Sequence, residues 1–260
     1  MSSWIIARNV APRKKLATPK YYHVSDISNM SEVYMSYIAA YIYFQKLGEP
    51  CSLLDESQIL KNTLRHHPQI RYLKDPVDAS NSVPLESIAT VASTMKFKAV
   101  QKIAVDIMTY DSSFNQDVIN VIQRAGIKGV FDIGIHLVRD VTGPNLAAFK
   151  MYAELIKAYQ AKAKKDTLSI YVMTDNYSVV TQFQSYCDAS WKIASLSKTP
   201  AVGLEDQFIQ MMGDVQIMTA VPALILDFTR SDDRFIYLMQ RYKGGLTYFK
   251  EVKDKEWNLI

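Results

Sequence analysis

Residues 128–140 read Lys128-Gly-Val-Phe-Asp-Ile-Gly-Ile-His-Leu-Val-Arg-Asp140. Alternation and β-branched side chains make this stretch a buried strand. Its end carries His136, Arg139 and Asp140, a cluster that strand pairing does not require, and the turn formers Gly143 and Pro144 follow. A helix is expected from about 145 to 164. Residues 168–176, Leu168-Ser-Ile-Tyr-Val-Met-Thr-Asp-Asn176, repeat the pattern: an apolar strand, a polar end, and a helix behind it to about Ser185. Strand, polar tip and helix in alternation define a parallel α/β sheet. Ligands of open α/β sheets collect at the carboxyl ends of the strands. His136, Arg139, Thr174 and Asp175 are therefore expected on one rim.

Working outward toward the N-terminus, Trp4 to Ala7 is expected as a short strand and Tyr21 to Ser25 as another, with a basic loop between them. Ser31 is a candidate cap for a helix to about Leu47 that is apolar almost all round, which marks it as buried. Gly48 and Pro50 stop it. Cys51 to Leu54 reads as a strand ending at Asp55, residues 56–65 as a helix, and Gln69 to Leu73 as a further strand. Residues 75–84 hold two prolines and several turn formers and read as a loop, with Pro84 opening a helix over Leu85 to Met95. Val100 to Met108 is expected as a strand, and Ser112 to Ala125 as a helix closed by Gly126. The domain boundary is placed near Gly126: an N-terminal α/β unit over 1–126 and a Rossmann-like unit over 127–260.

Toward the C-terminus, Trp191 to Ala194 is expected as a short strand and Ser195 to Asp206 as a polar loop. Asp214 to Asp227 reads as one long helix kinked at Pro222. Arg234 to Met239 reads as a strand, Lys243-Gly-Gly245 as a turn, and Leu246 to Lys255 as a terminal helix.

The chain has 260 residues, a net charge of +4, two cysteines and an apolar fraction of 48%. These numbers describe a globular protein of one large or two ordinary domains. No run of 18 apolar residues marks a membrane span, and no cleavage site marks a signal peptide, so a cytoplasmic location is expected. Cys51 and Cys187 lack metal spacing and are too few for a disulfide framework, which points to a reducing compartment. The basic residues at Arg8 to Lys20 and Lys157 to Lys165 read as solvated faces; no basic, aromatic-interleaved platform for nucleic acid is present. There is no Gly-x-Ser-x-Gly elbow, no dinucleotide fingerprint and no phosphate-loop lysine, which argues against a hydrolase, a dehydrogenase or a P-loop NTPase.

Four motifs occur in order: His136-Leu-Val-Arg-Asp140, Tyr171-Val-Met-Thr-Asp-Asn176, Gly203-Leu-Glu-Asp-Gln207, and Leu224-Ile-Leu-Asp-Phe228 leading into Phe235-Ile-Tyr-Leu238. Together they resemble the nucleotide-sugar domain of fucosyltransferase-like glycosyltransferases, including the α1,6- and O-fucosyltransferases. The family pattern is His-x-Arg-Arg, Thr-Asp-Asp, Gly-His-Asp-Gln, then a Leu-x-Asp-Ile helix before a last strand with paired serines. The stretch from Phe44 to Ser52 is also similar to sugar transferases of large algal viruses. The resemblance implies a GT-B fold, with two Rossmann-like domains facing a cleft. It further implies an inverting, metal-independent transfer of fucose from GDP-fucose to a glycan acceptor, with a UDP-sugar as the alternative donor and no cofactor. It assigns Arg139 and His136 to the diphosphate, Thr174 and Asp175 to sugar or ribose hydroxyls, and Asp227 to the guanine edge. Asp140, the carboxylate nearest in sequence, is the candidate general base.

The chain departs from that pattern. Val138 replaces the first arginine, Asn176 the second aspartate, and the paired serines are absent, with Gln240-Arg241 near their place; Arg241 is the candidate substitute for phosphate contacts. Ile27-Ser-Asn-Met30 stands where a Gly-rich acceptor loop is expected. The alternative reading is therefore the same fold with an eroded site, serving as a binding or structural subunit, for example of a virion. Plainer roles also exist for single residues: Asp175 as a helix cap, and Asp227 as a partner of Arg230 or Arg234.

Overall fold

The computed structural model describes residues 20–24, 29–75, 79–138, 146–199, 201–241 and 246–249. The expectations for Trp4 to Ala7, Gly143 and Pro144, the turn at 243–245, and the candidate residues Arg139 and Asp140 lie outside the described residues. So do most of the basic loop and the family-loop positions Ile27 and Ser28.

The chain begins with strand β1 (Tyr22–Val24), helix α1 (Met30–Leu47), strand β2 (Cys51–Asp55), helix α2 (Ile59–Thr63) and strand β3 (Ile70–Leu73). The three strands form a parallel sheet in the order β1-β2-β3. Helix α1 is the hub of this half. Asn29, not Ser31, caps it, its side chain accepting from Ser31 N at 2.8 Å. Gly48 closes it at φ 70°: Gly48 N bonds Gln45 O and Glu49 N bonds Phe44 O, the two carbonyl-satisfying bonds of a left-handed helix end. Between those ends Val33, Tyr34, Tyr37, Ile38, Ile42 and Phe44 are all buried.

Helices α3 (Leu85–Ser93), α4 (Phe97–Ile107) and α5 (Ser112–Arg124) follow. The strand expected over Val100 to Met108 is thus a helix. Val100, Ala104 and Ile107 are its buried residues; spacings of four and three residues are helical, and the interleaved Lys102, Val105 and Asp106 face outward.

A second parallel sheet comprises β4 (Ile133–His136), β5 (Leu168–Met173), β6 (Trp191–Ala194), β7 (Ala223–Leu226) and β8 (Leu246–Phe249), in the order β6-β5-β4-β7-β8. Helices α6 (Leu146–Ala163) and α7 (Tyr177–Gln184) connect its first strands, α8 (Gly203–Met218) leads to β7, and α9 (Ser231–Met239) crosses from β7 to β8. The last third corrects four expectations. The polar loop gives way to helix at Gly203. The helix expected over 214–227 ends at Met218, and Pro222 does not kink it but precedes a strand. Pro lacks the donor a helix needs and disfavours helical geometry in the residue before it. Ala223-Leu-Ile-Leu226 is buried throughout, as a central parallel strand is, and so shows no alternation to read. The strand expected at 234–239 is helix α9, and Leu246–Phe249 is a strand paired with β7 instead of a helix.

Two cores result. One lies under α6 and α7, around Ile133, Ile135, Ile170, Val172 and Phe183. The other is continuous from α1 to α8 and α9. Phe235 of α9 stacks on Tyr34 of α1 at 5.5 Å between ring centroids, and Phe97 of α4 on Tyr237 at 4.7 Å. Gln101 Nε2 donates to Leu238 O, and Asn29 Nδ2 to Ser231 Oγ. The crossover helix of the second sheet therefore leans on the hub of the first. Among the described residues no helix is long and apolar enough to cross a membrane.

Candidate functional site

In the second sheet the chain runs from β4 outward through β5 to β6, then returns to the other side of β4 to lay down β7 and β8. The crevice at such a reversal, outside the carboxyl ends of the strands, is where α/β sheets bind ligands. A cleft of about 550 Å³ opens there. His136 and Val138 line it from β4, Met173, Thr174 and Asp175 from β5, and Arg230 and Asp232 from the turn into α9. Helix α8 adds Gln207, Gln210, Met211 and Asp214.

His136 is 8% exposed and is held by the almost fully buried Asp233, Nδ1 to Oδ1 at 2.6 Å. The other carboxylate oxygen of Asp233 accepts from Asp227 N at 2.6 Å. One side chain of α9 thus ties the tips of β4 and β7 together. Burial alone would push the imidazole toward its neutral form, but the Asp233 carboxylate outweighs it and raises the His136 pKa. Protonation of this imidazole is therefore favoured over that of an ordinary histidine, and its Nδ1 is already engaged by Asp233.

Asp214 is also buried. Burial raises its pKa to about 7, against the opposing pull of the Tyr171 hydroxyl and of His136. Tyr171, on β5, donates that hydroxyl to Asp214 Oδ1. Asp214 sits on α8, the helix that precedes β7. Asp227 lies at a strand end instead. Its Oδ1 accepts from Thr229 N at 3.1 Å and Thr229 Oγ1 at 2.6 Å, folding the β7–α9 turn.

Thr174 is buried and accepts from Asn176 N through Oγ1 at 3.3 Å, and Asp175 is exposed in the cleft. The cap of α7 is Asn176, not Asp175: Asn176 Oδ1 accepts from Ser178 N and Ser178 Oγ. The second acid of the family pattern is thus a capping amide here, and Asp175 is left to the cleft. Arg241 is not among the cleft residues; it borders a small cavity beside Tyr110 and Phe114. No group of three or more His, Cys, Asp or Glu among the described residues is placed to hold a metal ion.

The structure thus gathers His136, Thr174 and Asp175 and leaves Asp227 and Arg241 outside the lining. It adds the α8 row, and Arg230 with Asp232. The α8 row was visible in principle, since Gln207, Gln210, Met211 and Asp214 fall at helical spacing, but only for a helix begun at Gly203.

No family model and no curated protein sequence matches the chain. Solved structures do. The fucosyltransferase NodZ from Bradyrhizobium superposes with a TM-score of 0.55 over 86% of this chain and 94% of that one, at 12% identity. Arabidopsis thaliana FUT1 in complex with GDP gives a TM-score of 0.57 over 89% and 70% of the two chains, at 9% identity. POFUT1 in complex with GDP gives 0.52 over 90% and 99%, at 9% identity. At such identities the likeness is one of fold. The chain has a GT-B-like α/β fold, and the solved proteins named above are fucosyltransferases.

Proposed function

We propose that the protein is a glycosyltransferase that transfers fucose from GDP-fucose to a glycan acceptor. The observation that carries this reading is the cleft at the chain reversal of a GT-B-like sheet, lined by a carboxylate-held imidazole. Two of the three solved structures named above are complexes with GDP. In this reading residues 1–126 form the acceptor side and 127–260 the donor side, the division falling at Gly126 (φ 68°) behind α5.

Glycosyl transfer breaks the bond between the anomeric carbon and the diphosphate oxygen, and the electron pair stays with the diphosphate. The acceptor hydroxyl forms the new bond and loses its proton to a base. Attack from the face opposite the leaving group inverts the anomeric carbon. The developing charge needs fixed cations or donors, and in this reading His136 supplies one of them. Thr174 and Asp175 suit hydroxyls of the sugar or ribose. Guanine presents ring and exocyclic N–H donors, which a carboxylate accepts as a pair. Asp214, facing the cleft, takes the role that sequence alone directs to Asp227. Arg139 and Asp140 follow Val138 directly in the chain, and they remain the candidates for a further phosphate contact and for the base.

A second reading is an eroded transferase with a binding or structural role. Val138, a hydrocarbon where the family pattern has arginine, and Asp232, an acid in the same cleft, favour it.

Thermal unfolding with GDP, UDP, CMP and ADP, with and without magnesium, separates the readings. Ligand at 100 times its dissociation constant adds about 2.7 kcal/mol. Stabilisation by GDP alone, independent of magnesium, is the expected result. Stabilisation by UDP instead would keep the enzyme class and change the sugar. No response to any nucleotide would leave the eroded reading.

A further inference from the structure

We propose that Arg230 supplies the guanidinium that neutralises the donor diphosphate, in place of the arginine missing at position 138. The inference rests on the nucleotide-sugar reading of the cleft and adds a residue to it. Val138 itself lines the cleft, so the β4 tip offers hydrocarbon where a phosphate-binding site needs charge. Arg230 lines the same space from the β7–α9 turn and is half-buried. Among the described residues no carboxylate forms an ion pair with its guanidinium. It lies close enough to His136 to oppose the protonation of the imidazole, and both side chains line one volume.

The root of the Arg230 side chain is rigid. Arg230 N donates to Asp227 O at 3.0 Å, and Arg230 O accepts from Arg234 N at 3.2 Å. The next residue, Ser231, is bonded to Asn29 of the first half. Arg230 is the cap residue of α9, so its side chain leaves from the positive end of a nine-residue helix. Two acids share that turn. Asp233 is consumed by His136 and by Asp227 N, which leaves Asp232 as the one carboxylate of the turn that lines the cleft. A diphosphate entering there meets His136, already paired with Asp233, and the acid Asp232, so among the described lining residues Arg230 is the cation without a carboxylate partner. A planar guanidinium also fits two phosphate oxygens at once, which an imidazole does not.

Calorimetric titration of the full chain with guanosine, GMP and GDP tests this. The wild type is expected to bind GDP more tightly than guanosine. Arg230→Gln should lose about 10- to 100-fold in GDP affinity and leave guanosine binding unchanged. Arg230→Lys should retain part of the GDP preference, and Val138→Arg added to Arg230→Gln should restore it by returning a guanidinium to the same cleft. Thermal unfolding of each variant without ligand checks that the fold is intact. A wild type that prefers GDP, with an Arg230→Gln variant that keeps the same preference, overturns the Arg230 assignment and leaves the donor reading standing. Equal loss of guanosine and GDP also overturns it, because the effect is then not on phosphate. A wild type that binds none of the three overturns both.

Discussion

Both sheets are parallel, and both end their central strands in buried polar residues, yet among the described residues the two sets of tips are used differently. In the three-stranded sheet the tip of β2 is Asp55, 7% exposed. Its Oδ1 accepts from Ser57 Oγ at 2.9 Å and its Oδ2 from Lys61 N at 3.2 Å, so the carboxylate is used up in starting α2. Nearby, the Tyr34 hydroxyl is spent on Thr63 Oγ1. In the five-stranded sheet the tips of β4 and β5 and the turn after β7 leave His136, Asp175, Arg230 and Asp232 facing a common space. A polar strand end is therefore not by itself a sign of function. Buried polar groups need partners, and the informative tips are those whose partners do not exhaust them.

The largest effect that would test this contrast is at Asp233. Asp233→Ala strands a buried imidazole and the buried Asp227 N–H together. It should destabilise the protein by about 3–5 kcal/mol in urea unfolding. Asp55→Ala removes a carboxylate of similar burial whose bonds only organise a helix start, and about 1–2 kcal/mol is expected. If Asp55→Ala proves as damaging as Asp233→Ala, the two tips are equivalent and the contrast fails.

Asp214 sharpens it through pH. Its folded pKa of about 7 lies above that of an unfolded aspartate, so the stability it contributes is complete below about pH 4. That stability is lost as pH rises through about 7. Asp214→Asn should match the wild type in acid and exceed it by about 1–3 kcal/mol at pH 8 without ligand. The same variant should lose guanosine binding, and in the wild type that binding should strengthen as pH passes 7 and the acceptor ionises. His136 runs on a different window. Its raised pKa gives stability that is present below the ordinary histidine range and fades as pH climbs above it. The penalty for His136→Gln should therefore shrink in alkali. The smallest effect is at Tyr34→Phe, where one buried hydroxyl bond in the non-cleft half is lost, for about 1 kcal/mol and no change in nucleotide binding.

Much of this was legible in the residues. The strands at 51–55 and 168–173, the buried helix ending at Gly48, and His136, Thr174 and Asp175 as one rim all follow from periodicity, caps and polar tips. The last third was misread for a physical reason. Val221-Pro-Ala-Leu-Ile-Leu226 and Phe235 to Met239 are short apolar runs buried on all sides, and such runs carry neither the twofold nor the 3.6-fold signature. Their type is decided by what packs on them. Ala223 to Leu226 is sandwiched between β4 and β8, while α9 is pressed against α1 and α4. Exchanging the two put Asp227 on a helix it does not occupy, and starting the preceding helix at Asp214 left out Gln207, Gln210 and Met211.

The order of elements and the chemistry at the strand ends decided a parallel α/β protein with a polar rim near His136. Only tertiary structure decided which polar groups are spent and which remain. Asp233, Asp214 and Arg230 are distant from His136 in sequence, and the reversal of strand order around β4 brings them beside it. Hydrogen-bond satisfaction in a buried site is a property of neighbours in space, and no spacing along the chain encodes it.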